Sequence, residues 1–120
     1  MTLALTPAML ETAYEYLRST PPFCAWKLPP AEEVEFGVTR HRDREGDHCV
    51  YQRTTDHVIR VSAYYVKTTS ALMCCMAHEM IHAYQERKGG ARYDRHNAEF
   101  KRLTIRVCSV HGWNPDAVQA

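Results

Sequence analysis

Two histidines four residues apart, with a glutamate beside the first, form the string His78-Glu79-Met80-Ile81-His82. On a helix, residues i and i+4 share one face, one turn apart. Both imidazoles then reach a single tetrahedral zinc ion at about 2.0–2.1 Å. Glu79 follows His78 directly and is rotated about 100° around the helix axis. That places it poorly as a co-ligand and well as a base for water activated at the metal. The setting adds weight. From Ala71 to Ala83 the chain is nearly all apolar and holds no Gly or Pro, the pattern of a buried helix. Two histidines and a glutamate inside such a helix need partners, because unpaired polar groups there are costly. A metal supplies one set of partners. Backbone carbonyls for the histidines and an ion pair for the glutamate would be the other.

A catalytic zinc takes three protein ligands and keeps a fourth position open. His96 is the leading candidate for the third. It follows His82 by 14 residues, past Gly89-Gly90. A last helix is expected to begin near Asp94 to His96, with His96, Phe100, Leu103, Val107 and Val110 on one inward face. Glu99 is the runner-up, giving a His₂Glu site, but it lies off that stripe. Cys74 and Cys75 precede His78 by one turn, and a thiolate from either would close the site. Their plainer reading is small buried hydrophobes. Asp94 is either a helix cap or an acceptor for a ligand's second N–H. His41, His48, His57 and His111 have no partner spacing and read as surface or strand residues.

The elements that must carry these groups fit in one domain over residues 1–120, with a core of about 6–113. The formal charge of +1 excludes little, although arginine outnumbers lysine 11 to 4, and arginine suits phosphate and carboxylate better. Five cysteines, an odd count with no C-x-x-C pair, indicate reduced thiols rather than a disulfide framework. The N-terminus shows no secretory pattern, and no run of 18 apolar residues offers a membrane span. A cytoplasmic or nucleoid/nuclear location is expected, not secretion, and no membrane partner.

Thr6-Pro7 starts an amphipathic helix with Leu10, Ala13, Tyr14 and Leu17 on one face. Ser19-Thr20-Pro21-Pro22 ends it, and a proline-rich loop over 21–30 pins Phe23 and Trp26 on the core. Val34, Phe36 and Val38 alternate as a half-buried strand. A polar turn over 42–47 leads to a second strand, facing inward with either Cys49, Tyr51 and Arg53 or His48, Val50 and Gln52. A third strand spans about His57 to Tyr64. The sheet is expected to be three-stranded and antiparallel. Thr68, Thr69 or Ser70 caps the histidine helix, Gly89-Gly90 ends it, and Gly112-Trp113 closes the last helix.

The strings His78-Glu79-Met80-Ile81-His82-Ala83-Tyr84 and His96-Asn97-Ala98-Glu99-Phe100-Lys101 resemble the SprT-like zinc metalloprotease domain, the family that includes Spartan. The upstream order of elements resembles it as well, over residues 6–113. The resemblance implies a compact zincin-like α+β domain, zinc held by His78, His82 and His96, and Glu79 as catalytic base. Asn97 stands where the family usually has Gly; Asn tolerates unusual backbone angles better than most residues. Many relatives continue into a C-terminal zinc ribbon, for which this sequence has no C-x-x-C pair. Spartan relatives cleave proteins bound or crosslinked to DNA.

The expected reaction is therefore hydrolysis of a peptide bond in a protein or peptide substrate, with one zinc per chain and DNA-associated proteins as a substrate class. A sheet edge beside the histidine helix would hold substrate by strand addition. Tyr64, Tyr65, Tyr84 and Tyr93 are chemically eligible as oxyanion donors, with nothing in the spacing to select one. The alternative is a nucleic-acid-binding or adaptor domain whose zinc is structural. Residues 86–106 carry Arg87, Lys88, Arg92, Arg95, Lys101, Arg102 and Arg106 against Glu86, Asp94 and Glu99, a local excess of four positive charges. Such a patch attracts phosphate; it reads equally well as a solvated helix face with ordinary ion pairs.

Overall fold

The computed structural model of the chain describes residues 4–50, 57–88 and 96–119. The first helix, α1, spans Pro7–Arg18. The Thr6 hydroxyl accepts the N–H of Met9 at 3.2 Å, so the cap and the N1 proline act together. Leu10, Ala13, Tyr14 and Leu17 are all buried, as their spacing requires. Two short 3₁₀ turns, Phe23–Ala25 and Ala31–Glu33, shape the proline-rich loop. The loop aromatics are pinned as expected. Phe23 is fully buried, and the Trp26 ring stacks on Tyr84 with centroids 4.2 Å apart. Tyr14 meets Phe36 edge-on at 5.4 Å, which ties α1 to the sheet.

The strands are β1 (Val34–Thr39), β2 (Gly46–Val50) and β3 (His57–Ser62). The expected all-antiparallel sheet is not what forms. The strand order is β1-β3-β2, with β1 parallel to β3 and β2 antiparallel to it. The reason lies in β3. His57, Val58, Ile59, Val61 and Ser62 are all buried, so both faces of this strand are covered. Such a strand belongs in the middle of a sheet. The chain after β1 therefore arches over the end of β3 instead of turning back beside β1. Thr39 and Gly46 flank Ser62 and Val61 from opposite sides. The arch is tied down by buried Ser62, whose hydroxyl donates to the carbonyl of His41 at 2.6 Å and whose N–H donates to that of Glu45 at 2.6 Å. β3 ends at Ser62, short of the expected Tyr64. Which face of β2 points inward falls outside the described side chains, as do Tyr51, Gln52 and Arg53.

The central helix, α2, spans Thr69–Arg87. Of the three candidate caps, Thr68 serves, accepting the N–H of Ala71 at 3.1 Å. It is buried on nearly all sides between Leu72 and Ala83, with α1, the sheet and the C-terminal helices packed around it. The Gly89-Gly90 terminator lies outside the described residues.

The next helix, α3, spans Ala98–His111 and not the expected start near residues 94–96. Asn97 is its cap, accepting the N–H of Phe100 at 2.9 Å. The buried arc is Phe100, Thr104, Val107 and Cys108, with Leu103 half-buried. Val110 is 51% exposed, against expectation. At about 100° per residue it falls at the edge of an arc centred on Thr104 and Val107. Gly112 adopts the left-handed conformation at φ 77° and closes α3, with Trp113 bonded back to Cys108, as expected.

A short fourth helix, α4, spans Pro115–Gln119 and packs on α2 and α3. It lies beyond the expected core boundary at residue 113. Its signal is nonetheless present in Asn114-Pro115-Asp116: a cap residue, proline at N1 and an acid in the first turn. Asn114 Oδ1 accepts the N–H of Asp116 at 2.9 Å. Among the described residues no helix is long and apolar enough to cross a membrane.

Candidate metal centre

α2 delivers His78 and His82 one turn apart, with their Nε2 atoms 3.2 Å from each other. The segment before α3 delivers His96, whose Nε2 lies 3.1 Å from that of His78. One ring nitrogen from each of the three lies within 4.8 Å of the others. Two nitrogens bound to one tetrahedral metal at about 2.0–2.1 Å are about 3.3–3.4 Å apart. The two separations from His78 are close to that and the third pair lies within 4.8 Å, so the donor set fits a metal ion.

The protonation state fits too. His78 Nδ1 faces the carbonyl oxygen of Val118 on α4 and must donate to it. Its Nε2 then carries a bare lone pair, directed at the other two imidazoles. Burial pushes the His78 pKa down to about 4, and His82 and His96 add to the depression. The hydrogen bond to the Val118 carbonyl opposes it, more strongly than either neighbouring histidine adds to it. Burial and then the Lys101 charge lower the pKa of His96 as well. Neutral imidazole is the form that binds metal. This outer partner on α4 was not foreseen from the sequence; Asp94, the residue considered for such a role, lies outside the described residues.

His96 reaches the site differently from the sequence reading. It precedes the cap of α3 and is exposed, instead of lying inward on a helical stripe. Phe100 holds it from below. The ring of Phe100 stacks on His96 at 4.5 Å and on His82 at 4.7 Å, and meets His78 edge-on at 5.0 Å. Buried Phe100 thus forms an apolar floor that orients all three rings.

Glu79 is 4% exposed, with its Oε2 3.9 Å from His78 Nε2. The carboxylate is beside the nitrogen cluster and outside it, as the 100° rotation requires. Gly46, the first residue of β2, backs onto it. A side-chain carbon at Gly46 would come within 2.8 Å of Cys75 Sγ, 2.9 Å of the Arg60 carbonyl oxygen and 3.3 Å of Glu79 Oε2. β2 is an outer strand packed against α2, so a sheet edge does run beside the histidine helix.

The other candidates fall elsewhere. Glu99, the runner-up ligand, is spent on Gln85 and Lys88, at 3.0 Å and 3.2 Å. Cys74 and Cys75 do not join the nitrogen cluster, and burial pushes the Cys74 thiol up, away from thiolate. Among the tyrosines, Tyr84 stacks on Trp26 and Tyr64 packs on Tyr65, whose hydroxyl donates to the Arg42 carbonyl. Tyr93 lies outside the described residues. Of the remaining histidines, His57 is a buried strand residue and His111 bonds Thr20 Oγ1 at 3.1 Å. In the basic segment, Arg87 donates to the Lys27 carbonyl and Lys88 pairs with Glu99, while Lys101 and Arg102 are exposed. Arg92 and Arg95 lie outside the described residues.

No curated protein matches the chain in a sequence comparison. A family model does match, over residues 13–119, a span that takes in α4 as well as both histidine segments. By that match the chain belongs to the SprT-like family.

Proposed function

We infer that the chain is a zinc-dependent endopeptidase. The observation that carries this reading is the His78 Nε2 with the Nε2 atoms of His82 and His96 at 3.2 Å and 3.1 Å from it, and a buried carboxylate 3.9 Å from the same nitrogen. Membership of a family associated with zincin-like metalloprotease domains supports it. His78, His82 and His96 would hold the ion. Three neutral nitrogen donors without thiolate suit zinc with one position left for water or substrate. Zinc held in this way supplies Lewis acidity, which activates water near neutral pH and polarises a substrate carbonyl.

The chain's own residues do the rest. The Glu79 carboxylate takes a proton from the attacking water and passes it to the leaving amine. Phe100 and the Val118 carbonyl keep the imidazoles oriented and in the right tautomer. The outer edge of β2 holds an extended substrate segment by strand addition. The substrate class we assign is proteins bound to DNA, recruited through exposed Lys101 and Arg102, which follow the third histidine. A closed structural zinc in an adaptor domain is the weaker reading. Among the described residues only three side chains converge, and a buried acid sits beside them.

The test is cleavage of an unfolded protein by the zinc-loaded chain, before and after chelation. Activity that disappears with a chelator and returns with zinc supports the reading. A zinc-loaded chain that cleaves neither an unfolded nor a DNA-bound protein contradicts it.

A further inference from the structure

One polar side chain in α2 is buried without any role in binding metal. Gln85 lies three residues after His82 and is 1% exposed. Its amide nitrogen donates to Asn97 Oδ1 at 3.3 Å and to Glu99 Oε1 at 3.0 Å. Both neighbours are acceptors. Asn97 Oδ1 already takes the N–H of Phe100, and the Gln85 and Lys88 hydrogen bonds hold the Glu99 carboxyl below its usual range, so it is ionised. The orientation of the Gln85 amide is thereby determined, and its own carbonyl oxygen is left buried with no partner among the described residues. A buried carbonyl without a partner costs stability. An aliphatic residue at this position would avoid that cost, so the amide needs another justification.

Its two partners supply one. Asn97 and Glu99 both belong to the segment that begins at His96. His96 itself precedes the helix and is exposed, so no intrahelical hydrogen bond fixes it. Beside the packing of Phe100 on the histidines of α2, the cap at Asn97 and the carboxylate at Glu99 give this segment its hydrogen bonds to Gln85. Lys88, one turn beyond Gln85, takes the second oxygen of Glu99 at 3.2 Å.

We propose that Gln85 is a positioning residue of the metal centre: its buried amide grips Asn97 and Glu99 and so sets His96 against the two histidines of α2. The proposal rests on the zinc reading of the site. Glu99 then contributes as an anchor for the third ligand and not as a ligand. Gln85 touches neither substrate nor metal. Its effect is to keep the third imidazole at the spacing that the other two present.

Zinc affinity, measured by competition with a chromophoric chelator, tests this together with the denaturant stability of the metal-free chain. Gln85→Leu should bind zinc about tenfold more weakly, the lower end of what losing an outer-shell partner costs. Its metal-free stability should be unchanged or higher, because the orphaned carbonyl is gone and partly exposed Glu99 turns to water. Glu99→Leu removes the anchor from the partly exposed side and should also weaken zinc binding, with its metal-free stability measured alongside. Glu99→Gln keeps an acceptor oxygen and should stay close to wild type. If Gln85→Leu does not fold, the Glu99 pair decides. Wild-type zinc affinity in Gln85→Leu, or in Glu99→Leu, overturns the proposal. So does a loss of affinity that merely follows a loss of metal-free stability. A wild-type chain that binds no zinc, with His78→Ala indistinguishable from it, removes the zinc reading itself and the proposal with it.

Discussion

His78 on α2 donates its Nδ1–H to the main-chain carbonyl of Val118, 40 residues later on the short helix α4. The bond selects the tautomer that leaves Nε2 bare, and it gives the five-residue helix α4 a part in the candidate metal centre. Ending the chain at Asn114 removes that acceptor and the packing of Val118, which is 1% exposed. Zinc affinity should fall about 10–100-fold, as losses of outer-shell partners do. A competition titration measures it. Affinity unchanged by the truncation would show that His78 finds an equivalent acceptor elsewhere.

The same histidine gives the metal-free chain a pH dependence. Its folded pKa, about 4, lies below the ordinary 6.5. Between these values the unfolded chain binds the extra proton and the folded chain does not. The stabilising contribution is therefore complete above about pH 6.5 and is lost as pH falls towards 4. Denaturant titrations of the metal-free chain across that window should show stability falling with pH, and less steeply in His78→Gln. Equal slopes would mean that another group dominates.

Gly46 marks where the outer strand comes closest to the acid. A methyl group there would crowd Cys75 Sγ at 2.8 Å and the Arg60 carbonyl at 2.9 Å, and press on Glu79 Oε2 at 3.3 Å. Gly46→Ala should destabilise by about 1–3 kcal/mol, the usual range for overpacking. It should also lower kcat while zinc stays bound. Gly37→Ala meets only the flexible Arg60 side chain, at 3.2 Å, and is the control. Denaturation and cleavage assays on the two variants check the contrast.

The proposed recruitment by DNA predicts its own signature. With three to four phosphate contacts the log–log salt slope for duplex binding would be about −3. Replacing exposed Lys101 and Arg102 with Glu should weaken binding and make the slope shallower by about 2. Binding that is the same in wild type and variant would move the DNA surface away from α3.

Much of the centre was legible because its chemistry is local. His78, Glu79 and His82 follow from helical geometry alone, and His96 follows from its distance past Gly89-Gly90 and from the resemblance. The caps at Thr6 and Thr68 and the Gly112 terminator were legible for the same reason: each needs only neighbours within a few residues. The sheet order was not. Placing β3 between β1 and β2 depends on both faces of β3 being buried, and that is decided by helices elsewhere in the chain. The position of His96 ahead of α3 follows from Asn97, whose signal as a helix cap is local, whereas the face of α3 that leaves Val110 exposed and buries Thr104 and Cys108 is set by the elements packed against it. The Val118 carbonyl carries no side-chain signal at all. Only the Asn114-Pro115-Asp116 start of α4 could have pointed to it.

The central claim is that Glu79 moves the proton during peptide hydrolysis at a zinc held by three histidines. Cleavage of an unfolded protein by Glu79→Gln, with zinc content measured on the same sample, tests it most directly. The amide keeps the shape of the carboxylate but cannot take a proton from water. The result expected is a full complement of zinc, an unchanged fold and a loss of cleavage to background. Cleavage at the wild-type rate by the zinc-loaded variant would contradict the account.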